Sequence, residues 1–247
     1  MEILGVEVDP VTYEAALARI ESFVQEGSTH QVVTVNPEFV MRAQSDEAFR
    51  RVLNGADLAV ADGIGLVWAA RLLGHHLPER VAGSDLVPGI AQCAAERGWR
   101  LYFLGAAPGV AERAANVLRE RYPGLPVAGT YAGSAAPEME EAIVQRIRPT
   151  RPHVLFVAYG APTQDTWIAR NLTHLGVPVA MGVGGAFDFI AGLAQRAPPW
   201  VQRLGLEWLH RLIHQPWRWR RMLDLPRFAW AVLLCRWRYT HPPSEVR

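Results

Sequence analysis

Lysine is absent from this chain: all 25 Lys and Arg positions among its 247 residues are arginine. That absence excludes a P-loop of the G-x-x-x-x-G-K-[ST] type, whose phosphate-gripping lysine cannot be supplied. No Asp-x-Asp occurs, so the common carboxylate pair that holds a metal-bound nucleotide sugar is missing. There is no G-x-S-x-G elbow, the signature of α/β-hydrolases. Cysteine is scarce; Cys93 and Cys235 lie far apart without metal-ligand spacing and read as free thiols in a reducing compartment. His75 and His76 join no ligand set, and His210 and His214 share a helical face, leaving zinc as a minor alternative. No apolar run reaches the length of a membrane span. The opening MEILGVEVD is acidic and lacks the apolar core of a signal peptide.

What is present is unevenly distributed. Residues 196–247 carry ten Arg against three acids, whereas residues 1–195 carry 15 Arg against 21 acids. Six of the nine Trp also fall in this last segment, at 200, 208, 217, 219, 230 and 237. An acidic body with a basic, indole-rich appendage suits work against an anionic surface, because Trp favours the headgroup layer and Arg favours phosphate. Membrane, an oligomer contact and nucleic acid are the candidates, in that order. The sequence thus divides into a core at 1–195 and an appendage at 196–247. Prolines at 198, 199, 216 and 226 cut the appendage into short helices. Its last helix, predicted over 226–239, is too short to span but suits an interface, with arginines at both ends.

Along the core, short apolar runs rich in β-branched residues (30–35, 57–61, 100–105, 125–131, 153–160, 177–182) alternate with helical periods. The latter fall at 10–25, 38–53, 65–73, 84–97, 110–121, 137–147 and 164–172, with Asp9 placed to cap the first. Continuous apolar strands between helices predict a Rossmann-like α/β fold, a mostly parallel sheet with helices on both faces. In such sheets ligands bind outside the carboxyl ends of the strands. Five small or polar turns lie there, around Thr34-Asn36, Asp62-Gly63, Gly105, Gly160-Gln164 and Gly182-Asp188. The Gly105 turn lacks full G-x-G-x-x-G spacing and serves either phosphate or a plain strand–helix connection. Gly184 and Gly185 belong to a denser cluster that lets a ligand approach the backbone. Asp62 reads either as a cap of the helix that Gly63 opens or as a catalytic carboxylate. Thr34 and Asn36 read equally as turn residues.

Taken in order, T-V-N-P (34–37), A-D-G-I-G (61–65), R-V-A-G-S-D (80–85), Y-G-A-P-T-Q-D-T-W (159–167), G-V-G-G-A-F-D (182–188), R-A-P-P-W (196–200), G-L-E-W-L-H-R-L (205–212) and Q-P-W-R-W-R-R (215–221) form a specific set. By these segments the chain resembles the WecG/TagA/CpsF glycosyltransferases, glycosyltransferase family 26. It departs at Thr163-Gln164-Asp165, where the family more often has Lys-Gln-Glu; the change drops a cation and shortens an acid. The resemblance implies an inverting, metal-independent transfer of N-acetylmannosamine, or its uronic acid, from a UDP-sugar. The acceptor it implies is N-acetylglucosamine on undecaprenyl diphosphate, in teichoic acid or other surface polysaccharide synthesis at the cytoplasmic membrane face. No cofactor and no nucleic acid are expected, and homo-oligomers are compatible with it. It implies Asp62 as the base, with Asn36 and Thr34 holding sugar and acceptor hydroxyls. Arg80 would meet the diphosphate, Gln164 would brace the donor, and Asp188 would accept from the uracil N–H. Arg211, Arg218 and Arg221 would close over the site. Another UDP-hexose donor, a catalytically silent membrane-recruited domain and a nicotinamide oxidoreductase stay as rival readings. The last lacks a ribose-binding acid.

Overall fold

The computed structural model describes residues 1–198, 200, 201, 206–214, 216 and 219–240, with backbone alone at 211, 214, 220, 221 and 238–240. Six strands form one parallel sheet: β3 (His30–Val35), β4 (Leu58–Ala61), β5 (Leu101–Gly105), β6 (Val127–Tyr131), β7 (Val154–Ala158) and β8 (Val179–Gly182). They lie in the order β4-β3-β8-β7-β5-β6. A two-stranded antiparallel hairpin, β1 (Glu2–Ile3) and β2 (Val6–Glu7), precedes them. Apolar runs form these strands because both faces of a parallel sheet are covered. Alternate residues of one strand therefore feed opposite cores. Leu101 and Phe103 of β5 join one cluster while Tyr102 and Leu104 join another.

Helices α1 (Tyr13–Glu26), α5 (Gly83–Arg97), α6 (Val110–Arg121) and α9 (Ala186–Ile190) share the first core. The opposite core takes α2 (Pro37–Ser45), α3 (Glu47–Asn54), α4 (Ile64–Leu72), α7 (Glu140–Ile147) and α8 (Thr163–Leu175). Helix α1 shows the local logic. Ala16, Ile20, Phe23 and Val24 recur at helical spacing and are buried, and Gly27 ends the helix in the left-handed conformation. Its cap is Thr12, whose hydroxyl accepts from the Ala15 N–H at 3.2 Å. Asp9, expected in that role, instead exchanges two hydrogen bonds with Ala59 on edge strand β4: Oδ2 accepts from the Ala59 N–H and the Asp9 N–H reaches the Ala59 carbonyl, both at 2.8 Å.

The helix expected over 38–53 is two helices. Asp46 ends α2 and caps α3 by accepting from the Phe49 N–H at 3.0 Å. The C-terminal region is helical: α10 (Glu207–His214), α11 (Trp219–Met222) and α12 (Asp224–Thr240). Helix α12 packs on α2 and α4. Phe228 and Val232, one turn apart, enter the core that holds Phe39, Val40, Leu66 and Val67. Each such burial is worth about 1.5–3 kcal/mol. The opposite face of α12 leaves Trp230, Leu233, Leu234 and Trp237 exposed. Among the described residues no helix is long and apolar enough to cross a membrane.

Candidate active site at the carboxyl rim of the sheet

Strand order fixes the neighbours on the rim. Asp62 follows β4, Asn36 follows β3, Gly182-Asp188 follows β8, Tyr159-Gln164 follows β7, and the Gly105 turn ends β5. The order is not that of the dinucleotide-binding fold. At about 4.8 Å per strand, the glycine loop after β8 lies roughly 10 Å from the end of β4, and the Gly105 turn roughly 19 Å away.

Asp62 does not cap the helix that Gly63 opens; α4 has no side-chain cap. Its Oδ2 instead accepts from the Gly83 N–H at 3.3 Å, at the start of α5. Leu58, Val60 and Asp62 fall on one side of β4 by the period of two, and that side faces the core shared with α5. Gly83 has a packing reason to lack a side chain: a Cβ there would stand 3.0 Å from Cγ2 of Thr34. Thr34 is buried. Thr34, Asp62 and the first turn of α5 therefore meet at one corner. Asn36 stands beside them as the cap of α2, its Oδ1 accepting from the Phe39 N–H at 3.0 Å.

Arg80 reaches this corner but is not idle. It donates from Nη1 to Oε2 of Glu207, and its Nη2 lies 3.8 Å from Asp85. Arg196 binds the same Asp85 with both Nη atoms, at 2.5 and 2.8 Å, and its Nε lies 3.6 Å from Oε1 of Glu207. The Asp85 carboxylate beside it holds the Arg196 guanidinium above its usual range. Neither Asp85, Arg196 nor Glu207 was singled out by sequence reasoning. All three sit within the quoted motifs R-V-A-G-S-D, R-A-P-P-W and G-L-E-W-L-H-R-L, and that membership was the available signal.

Gln164 is buried and ties two loops: its Oε1 accepts from the Gly160 N–H at 3.2 Å and the Gly184 N–H at 2.9 Å. Its carbonyl oxygen thus joins the loops after β7 and β8. Next to it, Asp165 is fully buried, and neither carboxylate oxygen finds a hydrogen-bond partner among the described residues. Burial pushes its carboxyl up to about 7. Gly105 has a structural duty: at φ +99°, a Cβ there would meet the Ala158 backbone at 2.7 Å. Gly184 and Gly185 present exposed or half-buried backbone, and Asp188 sits on α9 beside them. Arg218 lies outside the described residues, as do the side chains of Arg211 and Arg221. Among the described residues no three His, Cys, Asp or Glu gather as metal ligands. A depression of about 390 Å3 lined by Gln31, Arg51, Asp57 and Leu172 is remote from the rim, since Gln31 and Asp57 lie at the amino ends of β3 and β4.

A parallel α/β sheet carries a carboxylate, two arginines and glycine loops at its carboxyl rim, the side on which ligands bind in such sheets. Residues 1–242 match the glycosyl transferase WecG/TagA/CpsF family, and the chain belongs to it. It is 36% identical over 202 residues to a protein of Bacillus spizizenii named N-acetylglucosaminyldiphosphoundecaprenol N-acetyl-beta-D-mannosaminyltransferase, covering 82% of this chain and 78% of that one. A protein of the same name from Bacillus subtilis strain 168 is 36% identical over 203 residues, with the same coverage. One from Staphylococcus aureus strain NCTC 8325 is 33% identical over 234 residues, covering 94% of this chain and 91% of that one.

Proposed function

We propose that this chain transfers an N-acetylmannosaminyl group from a UDP-sugar to N-acetylglucosamine on undecaprenyl diphosphate, with inversion at the anomeric carbon. The name shared by its relatives supports the acceptor and the transferred sugar. The observation that carries the site is the corner where Asp62 meets Gly83 and Thr34, flanked by Arg80. In the step, the acceptor hydroxyl oxygen forms a bond to the anomeric carbon while the bond from that carbon to the phosphate oxygen breaks. UDP leaves with the bonding electron pair, and the hydroxyl proton passes to Asp62. The Gly83 N–H fixes the carboxylate's orientation. Thr34 and Asn36 hold the hydroxyls in attack geometry. Arg80 offsets the charge that develops on the diphosphate, so the transfer needs no metal.

The rim distances suit this division. A sugar near β3 and β4 leaves its nucleotide over the glycine loop after β8, where Asp188 meets the uracil. The Gly105 turn, four strands from Asp62, lies at the nucleoside end.

Residues 196–247 act in this reading as the unit that brings the core to its lipid-linked acceptor at the cytoplasmic face of the membrane. Trp230, Leu233, Leu234 and Trp237 on α12, with Trp68 and Leu72 on α4, are exposed apolar side chains on two helices packed together. Arg227 and Arg236 accompany them for anionic headgroups. Arg211, Arg218 and Arg221 complete the site over the bound lipid diphosphate. The same apolar face would be covered in a homo-oligomer, so self-association and membrane docking compete.

The test is release of UDP from a panel of UDP-sugars, with a short-chain prenyl-diphosphate N-acetylglucosamine acceptor and EDTA present. Acceptor-dependent release from UDP-N-acetylmannosamine is expected. Release only from another donor would change the substrate, and no release from any donor would overturn the reading.

A further inference from the structure

The R-A-P-P-W and G-L-E-W motifs supply two residues that the transfer above does not use, Arg196 and Glu207, and the structure places both against Arg80 and Asp85. Two guanidiniums and two carboxylates meet there with no net charge. The two carboxylates are not equivalent. Asp85 belongs to the first turn of α5, the helix that also holds Asp62, and it grips Arg196 with a paired fork at 2.5 and 2.8 Å. Glu207 opens α10, outside the core, and bridges the two arginines with its two oxygens: Oε2 on Arg80, and Oε1 at 3.6 Å from Nε of Arg196.

That last distance is too long for a hydrogen bond, and among the described residues the buried Arg196 Nε–H has no acceptor within hydrogen-bond distance. A buried donor left unmade is costly, more so on a charged group. Glu207 therefore occupies this site without satisfying it. A group with more acceptor oxygens and more negative charge would serve both guanidiniums at once, and a diphosphate has both.

We propose that Arg196 joins Arg80 in a two-guanidinium cradle for the substrate's diphosphate, and that the Glu207 carboxylate fills this cradle until the diphosphate displaces it. The proposal rests on the reading of the rim as a nucleoside-diphosphate-sugar site. Asp85 stays in place and keeps the Arg196 fork aimed. The arriving anion repels Glu207, and α10, which begins at that residue, must shift with it. Donor binding is thereby coupled to the position of the appendage.

Binding of inorganic pyrophosphate and of UDP to the full chain, measured by titration calorimetry at fixed low salt, tests this without any sugar transfer. Glu207→Gln removes the competing charge and should tighten both ligands about tenfold; Arg196→Gln should weaken both by about tenfold or more. Arg196→Lys, which keeps the charge but not the fork, should fall between. Should Arg196→Gln fail to fold, Glu207→Gln decides alone, since it leaves Arg196 and Asp85 paired. Unchanged affinities in Glu207→Gln would overturn the cradle whatever the transfer assay shows. Tightened pyrophosphate binding in a chain that turns over no UDP-sugar would keep the cradle and reject the transferase reading.

Discussion

The Gly83 N–H donates to Oδ2 of Asp62 across 21 residues of sequence, joining the rim of β4 to the first turn of α5. This contact helps to orient the carboxylate, and it sets the first prediction. Asp62→Asn keeps the shape and the acceptor oxygen for Gly83 but loses the base. Turnover should drop by roughly 10²–10⁴-fold. UDP affinity should stay near wild type, because in the proposed reading the uridine lies over the loop after β8 and Asp62 does not hold it. Full turnover in this variant, by the UDP-release assay, would remove Asp62 from the mechanism.

Gly83→Ala probes the same corner through packing. The added methyl lands 3.0 Å from Thr34 Cγ2, so strand or helix must move by a few tenths of an ångström. Overpacking of this kind costs about 1–3 kcal/mol. The melting temperature should fall, and kcat should fall with it, since Thr34 and Asp62 are displaced together. A drop in stability with kcat intact would show that the corner tolerates movement and is not the reacting centre.

Gln164→Met keeps the volume but removes the oxygen that accepts from Gly160 and Gly184. Two loop N–H groups lose their partner, at about 1–3 kcal/mol for each that stays buried. The loops after β7 and β8 should loosen, raising the donor KM more than it lowers kcat. Steady-state kinetics across donor concentrations separates the two. An unchanged KM would mean that the loops hold their shape without this bridge.

Much of the architecture is legible in the sequence because parallel strands buried on both faces leave continuous apolar runs. Val32 and Val33, adjacent in β3, enter opposite cores, and so no polar residue interrupts them. Two-residue strands such as β1 leave no such run. The break between α2 and α3 was hidden because the apolar period continues through it, although Asp46 at its centre is a cap residue. Asp9 carried the right chemistry for a cap but met the open edge of β4 first. The corner where Thr34, Asp62 and Gly83 meet joins residues of three quoted motifs, whereas the pairing of Arg196 with Asp85 spans 111 residues and leaves no local trace.

The exposed face of α12 makes a prediction about surfaces. Trp230 and Trp237 lie opposite the buried Phe228 and Val232, so Trp230→Ser with Trp237→Ser leaves the helix's packing on α2 and α4 in place. Co-sedimentation with anionic phospholipid vesicles should weaken in the double variant while the melting temperature stays put. Activity on a short-chain, water-soluble acceptor should also persist. Equal vesicle binding by both proteins would place the docking surface elsewhere.

Asp165 gives a pH dependence whose sign is set by its burial. Its carboxyl is pushed up to about 7 from its ordinary 3.8, burial being the cause. Between these values the unfolded chain has lost the proton and the folded chain keeps it. Folding therefore binds a proton there, and stability falls as pH rises from about 4 to about 7, then levels once both states are ionised. The loss approaches roughly 4 kcal/mol at most. Asp165→Asn carries no such charge, so its melting temperature should be flatter across this range and exceed wild type at pH 8. Denaturant titrations at pH 5 and pH 8 give the comparison. A wild-type protein as stable at pH 8 as at pH 5, with Asp165→Asn unchanged relative to it, would mean that water or a loop movement relieves the buried charge.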